Sequence, residues 1–397
     1  MGDLLSVIET GWSPACDAQP PGADEWGVIR VSAVTSGRFD PQEAKRLPTG
    51  LEPRPVLEVR PGDVLVARAN GARSLVGSVV YVKETRPKLM LSDKVLRLVP
   101  NDSRIDSAFL VILLSSQNVR LQVGNLLNGG TGQNNISQQD VRGLVVPEIP
   151  LTEQRRIVAA HAAMERRVSA LERVRAKLKV AEAALSAEAF TKVDSLWPTT
   201  RLENIATVAA GVTLGSEPVG DGTLELPYLR VANVLDGRID TTDVKKVRIL
   251  RSQYERFALR KGDLLLTEGG DLDKLGRGAV WDGRISQCLH QNHVFRVRCG
   301  EEMSPDFLAL YTSSDAGRAY FQRVGKQTTN LASINSTQVK QMPVPLPPLT
   351  EQESLLGPIR SVRSRLAALD RQVSKLRVVQ QGVVEDLLSG RGTSFAA

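Results

Sequence analysis

The apolar residues of this chain follow three rhythms. Around Val28, Arg30, Val31 and Val34 they alternate with polar ones and run into Ser36-Gly37, the pattern of a half-buried strand closed by a turn. The stretch from Leu229 to Asp236-Gly237 repeats that pattern. Pro61-Gly62-Asp63 and Lys261-Gly262-Asp263 each precede a wholly apolar run, which predicts a tight turn feeding a short buried strand. GSVVYVKE from Gly77 and GRGAVWDG from Gly276 read as further strands. Residues 104–118 and 305–323 change to helical spacing, with Phe307, Leu308, Tyr311 and Ala319 or Tyr320 on one face.

The third rhythm is a seven-residue period. Ile157, Met164, Leu171, Leu178 and Leu185 form one stripe, and His161 and Val168 start a second that drifts to Val174 and Ala181. Leu355, Val362, Leu369, Leu376 and Val383 repeat the arrangement, beside Ile359, Leu366, Val373 and Leu387, with only Gln380 breaking the second line. Two helices follow, each about 36 residues and roughly 54 Å long at 1.5 Å per residue. Thr152 and Thr350 are the expected N-caps, and Gly390 the expected stop. An exposed apolar seam of this length would aggregate, so the two helices are expected to pack on each other as an antiparallel coiled coil.

These elements occur twice. Ile29–Asp40 matches Leu229–Asp240, and Arg60–Arg68 matches Arg260–Glu268, both at a shift of 200. PEIPLTEQ, ending at Gln154, matches PLPPLTEQ, ending at Gln352, at a shift of 198. Such self-similarity indicates duplication of a unit holding one globular part and one helix. The fold class is α/β (α+β): two pseudo-repeated globular domains separated by the two long helices. The domains are 1–150, 151–192 (first helix), 193–348, 349–390 (second helix) and a tail, 391–397. The first copy lacks a stretch matching Trp197 to Leu202, so the edge of its globular part should differ.

Composition changes little. With 42% hydrophobic and 24% charged residues the 397-residue chain reads as an ordinary globular protein. No apolar run reaches membrane-spanning length and no secretory leader opens the chain, so a cytoplasmic protein without membrane contact is expected. The net charge of +7 allows a nucleic-acid partner, but the basic residues form no tail and would have to be gathered by folding. Cys16, Cys288 and Cys299 are too few and scattered for a disulfide framework or zinc site. His161 lies on the helix stripe as packing, and His290 and His293 fit no metal spacing. No phosphate-binding loop, zinc-protease motif or Asn-Pro-Pro-aromatic tetrapeptide is present, so no catalytic, cofactor-binding or metal residue is assigned.

Polar loops at matching places remain. Gln133, Asn134 and Asn135 lie in the first, and Lys326, Gln327, Thr328, Thr329 and Asn330 in its counterpart. Asn and Gln can bond adenine edges in pairs, and Arg and Lys guanine edges. An ordinary loop capping a helix through Ser137 or Ser336 explains them equally well. Arg68, Asn70 and Arg73, with Lys274 and Arg277, form a second candidate set, against solvated turns.

Together, the duplicated PLTEQ-led helices, the paired PGDVLV and KGDLLL segments and the loop GTGQNNIS resemble the specificity subunit of type I restriction-modification systems. The resemblance covers the whole chain. It implies two target recognition domains, each reading half of a bipartite asymmetric site on double-stranded DNA, and helices that fix the gap. It also implies a non-catalytic chain docking two adenine-N6 methyltransferase subunits and, where they exist, two restriction/translocase subunits. S-adenosylmethionine, ATP and Mg would then belong to partners. A coiled-coil adaptor binding only proteins is the alternative from another class.

Overall fold

The computed structural model describes residues 1–16, 18–127, 134–190, 197–215, 218–327 and 332–389. The chain divides into two compact units, Met1–Glu172 with Arg371–Ala397, and Arg173–Asp370, so each unit takes part of both long helices.

The first unit contains β1 (Leu5–Thr10), β2 (Gly27–Ile29), β3 (Ala44–Arg46), β4 (Val64–Ala67), β5 (Ala69–Asn70), β6 (Val79–Tyr81), β7 (Leu89–Met90) and β8 (Val95–Pro100). Helices α1 (Ser107–Ser115) and α2 (Gln117–Leu126), strand β9 (Asn134–Asn135) and helix α3 (Gln138–Gly143) lead to the first long helix, α4 (Leu151–Glu188). An antiparallel sheet in the order β1-β8-β4-β6 forms the centre. Val64, Val66, Leu96 and Leu98 pack on Phe109, Leu110 and Leu113 of α1. On the opposite face Leu65, Val80 and Val95 meet Ile29, Val34 and Leu89 around the small sheet β3-β2-β7. Burial on both faces explains why the run after Pro61-Gly62-Asp63 is wholly apolar.

The second unit repeats the plan. Its elements are β10 (Thr199–Arg201), α5 (Leu202–Ile205), β11 (Ala206–Ala210), β12 (Thr223–Leu229), β13 (Val234–Leu235), β14 (Arg238–Ile239), β15 (Lys245–Leu250), α6 (Tyr254–Phe257), β16 (Leu264–Thr267), β17 (Gly269–Gly270), β18 (Gly278–Val280), β19 (Leu289–His290) and β20 (Val294–Cys299). Then come α7 (Pro305–Ser313), α8 (Asp315–Val324), β21 (Lys326–Gln327), β22 (Ala332–Ser333), α9 (Ser336–Lys340), β23 (Pro343–Pro345) and the second long helix, α10 (Leu349–Leu388). The order β11-β20-β16-β18 and the small sheet β15-β12-β19 match the first unit strand for strand.

Both Gly-Asp turns form as the sequence predicts. Gly62 and Gly262 adopt φ of +99° and +95°, a region glycine enters without steric cost. The Asp63 carboxylate accepts from the Arg60 backbone N–H at 2.9 Å and from Arg97 Nε at 3.1 Å. Asp263 accepts from the Arg260 N–H at 2.7 Å and from Arg298 Nε at 2.7 Å and the same guanidinium's terminal nitrogen at 2.8 Å. The turn is thereby tied to the neighbouring central strand.

Three local expectations are corrected. Val31–Val34 is a 3-10 turn rather than strand, because the chain turns there to pack Ala33 and Val34 into the core. Each continuous helix read at 104–118 and 305–323 is a pair, broken where Ser116 and Ser314 leave helical geometry and cap α2 and α8 through their side chains. Thr152 and Thr350 are not N-caps, since the helices start one residue earlier. The carbonyls of Pro150 and Pro348 accept their first bonds. Gly390 lies outside the described residues.

The long helices pack antiparallel, as each unit shows by itself. In the first, Glu165 meets Gln380 at 2.9 Å and Glu172 meets Arg377 at 2.7 Å. In the second, Arg175 meets Asp370 and Glu182 meets Arg363, each at 2.6 Å. One index rises while the other falls. Ile157 is buried on the seam, and Met164, Leu171, Leu178, Leu185, Leu355, Val362, Leu369, Leu376 and Val383 are half-buried there. The second stripe does not drift to Val174, which is 48% exposed. It continues through Arg175 and Glu182, whose charges are met across the seam.

Candidate nucleic-acid interface

Each unit ends its central sheet in a small polar ladder. In the first, β5 pairs antiparallel with β9, placing Asn70 opposite Asn134 and Ala69 opposite Asn135. The Arg68 carbonyl accepts from the Ile136 N–H at 3.0 Å, while Arg68 Nε donates to the Ile136 carbonyl at 3.2 Å. Asn70 Oδ1 accepts from the Ala72 N–H at 2.9 Å, and Asn134 Nδ2 donates to the Gly71 carbonyl at 3.2 Å. Arg73 donates to the Gly124 carbonyl at 2.6 Å, tying the loop to the end of α2. The fold therefore gathers Arg68, Asn70, Arg73, Asn134 and Asn135. Several of their polar groups brace the loop itself, and the Asn135 side chain is exposed.

In the second unit β17 pairs with β22, and β22 with β21, placing exposed Lys326 opposite Ser333 and exposed Gln327 opposite Ala332. Lys274 pairs with Asp271 and holds that carboxyl below the usual carboxylate range. Arg277 lines a basin with Asp236, Lys274, Ser313 and Arg318. Its Nε is buried without a hydrogen-bond partner among the described residues. Gln133, Thr328, Thr329 and Asn330 lie outside the described residues.

The capping role of these loops is also real. Ser137 caps α3 in a reciprocal box with Asp140. In the second unit the cap is Asn335, paired with Gln338, and not Ser336. Asn335 is extended there, so its carboxamide reaches the Gln338 N–H at 2.9 Å.

One basic feature escaped the sequence reading. The edge strand β15 carries Lys245, Lys246 and Arg248, with Arg251 just beyond, and all but half-buried Arg248 are exposed. Glu225 on β12 faces them, 3.5 Å from Arg248 and 4.0 Å from Lys246. Four basic residues within seven are visible in the sequence, but their spacing alone does not place them along an edge strand.

The expected packing role of His161 fits its half-buried place on α4, where burial holds its pKa down. His290 is fully buried, its Nδ1 2.7 Å from the Val294 carbonyl, and its pKa is pushed down to about 4 chiefly by burial. Among the described residues no three His, Cys, Asp or Glu side chains are grouped to hold a metal ion. Nor is any described helix long and apolar enough to cross a membrane.

No family model matches the chain. The specificity subunit of the type I restriction enzyme EcoEI from Escherichia coli is 36% identical over 164 residues, 40% of this chain and 27% of that protein. That of EcoKI from Escherichia coli strain K12 is 23% identical over 384 residues, 91% of this chain and 80% of that protein. This chain is similar to the specificity subunits of type I restriction enzymes. The resemblance read from the paired PLTEQ helices is thus borne out. The chain spans about a quarter of the EcoEI specificity subunit and most of the EcoKI one. Two solved structures share the fold. One chain comes from work on complex assembly and conformational transition of the type I R-M system, with TM-score 0.59, 20% identity, and 98% and 96% of the two chains covered. The other is the type I restriction-modification S subunit from M. genitalium, with TM-score 0.53, 13% identity, and 98% and 94% covered.

Proposed function

We propose that this chain is the non-catalytic DNA-specificity subunit of a type I restriction-modification complex. Each unit reads one half of a bipartite, asymmetric site on duplex DNA. The antiparallel helices set the number of base pairs between the halves and dock two adenine-N6 methyltransferase subunits. Restriction/translocase subunits join where the system has them, and S-adenosylmethionine, ATP and Mg act on those partners.

One observation carries the reading. The two units share the order of their main sheets, their Gly-Asp turns and the place of the cap, yet carry different residues at equivalent ladder positions: Asn70, Asn134 and Asn135 in one, Gly270, Ala332 and Ser333 in the other, where exposed Lys326 and Gln327 lie on the adjoining strand. Two equal frames presenting unequal polar groups suit an asymmetric target. Phosphate contacts by Lys and Arg supply affinity and salt dependence, and Asn, Gln and Arg at base edges supply discrimination. Reconstitution with the cognate methyltransferase tests this. Gel shifts should reveal one sequence bound well above random duplex in moderate salt. Equal retention of all duplexes, or none, would contradict it.

A further inference from the structure

The two units invert the chemistry at one position of an otherwise equal frame. In the first, the Arg68 N–H donates to the Lys94 carbonyl at 2.8 Å, and the Arg68 carbonyl accepts from the Ile136 N–H at 3.0 Å. In the second, the Glu268 N–H donates to the His293 carbonyl at 3.0 Å, and the Glu268 carbonyl accepts from the Ile334 N–H at 2.8 Å. Glu268 therefore holds the backbone place of Arg68, and His293 that of Lys94. Both places adjoin the polar ladders, since Arg68 directly precedes β5 and Glu268 directly precedes β17. Arginine beside lysine in one unit is glutamate beside histidine in the other.

Glu268 and His293 also meet through their side chains, His293 Nδ1 donating to Glu268 Oε2. The Glu268 side chain is 30% exposed and that of His293 56%. One carboxylate oxygen is thereby held, while Glu268 Oε1 has no hydrogen-bond partner among the described residues. The next two residues, Gly269 and Gly270, bring no side chains to screen the carboxylate, and Gly270 takes φ of +151°, which favours glycine. An anion at a DNA-facing edge is repelled by phosphates, so its match is an exocyclic amino group in the major groove. Cytosine offers its N4 amino group with no acceptor beside it. Adenine sets the N7 acceptor next to its N6 amino group, against the carboxylate.

We infer that Glu268, oriented by His293, reads a cytosine in the half-site of the second unit. This rests on the DNA reading proposed above and adds a residue and a base to it. Glu268 sets specificity, and His293 is a positioning residue that fixes which carboxylate oxygen faces the base. Arg68, at the same place in the first unit, suits guanine instead, so one exchange of charge makes the two half-sites unequal.

Glu268→Gln tests the assignment. It keeps the side chain's shape and an acceptor for His293, but adds an amide donor that matches adenine N6 and N7 together. Methylated sites of the parent complex with its methyltransferase are mapped first. Duplexes carrying that site, and every single-base change in it, then serve as competitors in binding. The variant should exchange cytosine for adenine at one position of one block, a change in relative preference of about 5- to 100-fold. His293→Ala should lose most of the parent's discrimination at that same position and at no other. Unaltered reading of the other block shows that the variants are folded and assembled. Unchanged preference at every position, a shift in both blocks, or an equal loss on all duplexes would overturn the inference. The last result would make the pair a loop brace or a contact to the methyltransferase. In each case a bipartite parent site would leave the proposed function standing, whereas a parent without one would overturn both.

Discussion

Gln380 donates its side-chain amide to Glu165 Oε1 across the long helices at 2.9 Å, inside a seam that is otherwise mostly apolar. Gln380 is 7% exposed, so what reads in sequence as a fault in the stripe is a buried amide paired with the half-buried Glu165. Such pairs cost stability and specify register. Replacing both residues by leucine (Glu165→Leu with Gln380→Leu) should raise the unfolding free energy in urea, by about 1 kcal/mol. Light scattering should detect mixed association states. A destabilised, strictly uniform double variant would argue against the register role.

Gln154 and Gln352 explain why Leu-Thr-Glu-Gln starts both long helices. Gln154 Nε2 donates to the carbonyls of Arg104 (2.9 Å) and Ile149 (2.7 Å), and its oxygen accepts from the Asp106 N–H (2.9 Å). Gln352 makes the same three bonds to Glu302, Pro347 and Ser304. Both are nearly inaccessible to solvent. Gln154→Ala or Gln352→Ala leaves buried backbone groups unmatched and should cost about 2 kcal/mol in urea unfolding. A loss below a few tenths would show that water replaces the amide.

The sequence made the frame legible where one residue type has one use. Gly62 and Gly262 sit at positive φ in both turns, and the seven-residue stripes and the repeat needed no tertiary information. The rest depended on contacts distant in sequence. Nothing local says that Arg175 and Glu182 can hold seam positions, because their partners Asp370 and Arg363 lie in the other helix. Nothing local says that Ser116 and Ser314 divide helices whose apolar spacing runs on. Loop residues such as Arg73 were legible as polar, but that its guanidinium braces the Gly124 carbonyl was not.

His290 makes stability depend on pH. In the unfolded chain it takes a proton near 6.5, whereas folded it stays neutral down to about 4. The unfolded state thus binds more protons between these values, and stability falls as pH drops through that window. The corresponding residue in the first unit is Leu91, also buried. His290→Leu should flatten this limb, with a difference from the parent approaching about 3 kcal/mol at pH 4. Parallel pH profiles for the two proteins would refute the assignment.

The strand β15 and the β5–β9 ladder should behave differently on DNA. Replacing Lys245, Lys246 or Arg251 by alanine should weaken binding to all sequences alike and lower the salt slope by about 0.9 per lost phosphate contact. Asn135→Ala should relax preference at one base position by about 1–3 kcal/mol and leave the slope unchanged. Competition binding at several salt concentrations separates the two outcomes, and a reversed pattern would exchange the roles.

The most direct measurement is a genome-wide map of N6-methyladenine in cells carrying this chain and its methyltransferase, beside cells in which Lys326 and Gln327 are both changed to alanine. The account predicts two short sequence blocks at a fixed gap, with the variant altering one block and sparing the other. A single contiguous block, or a variant that shifts both blocks together, would contradict it.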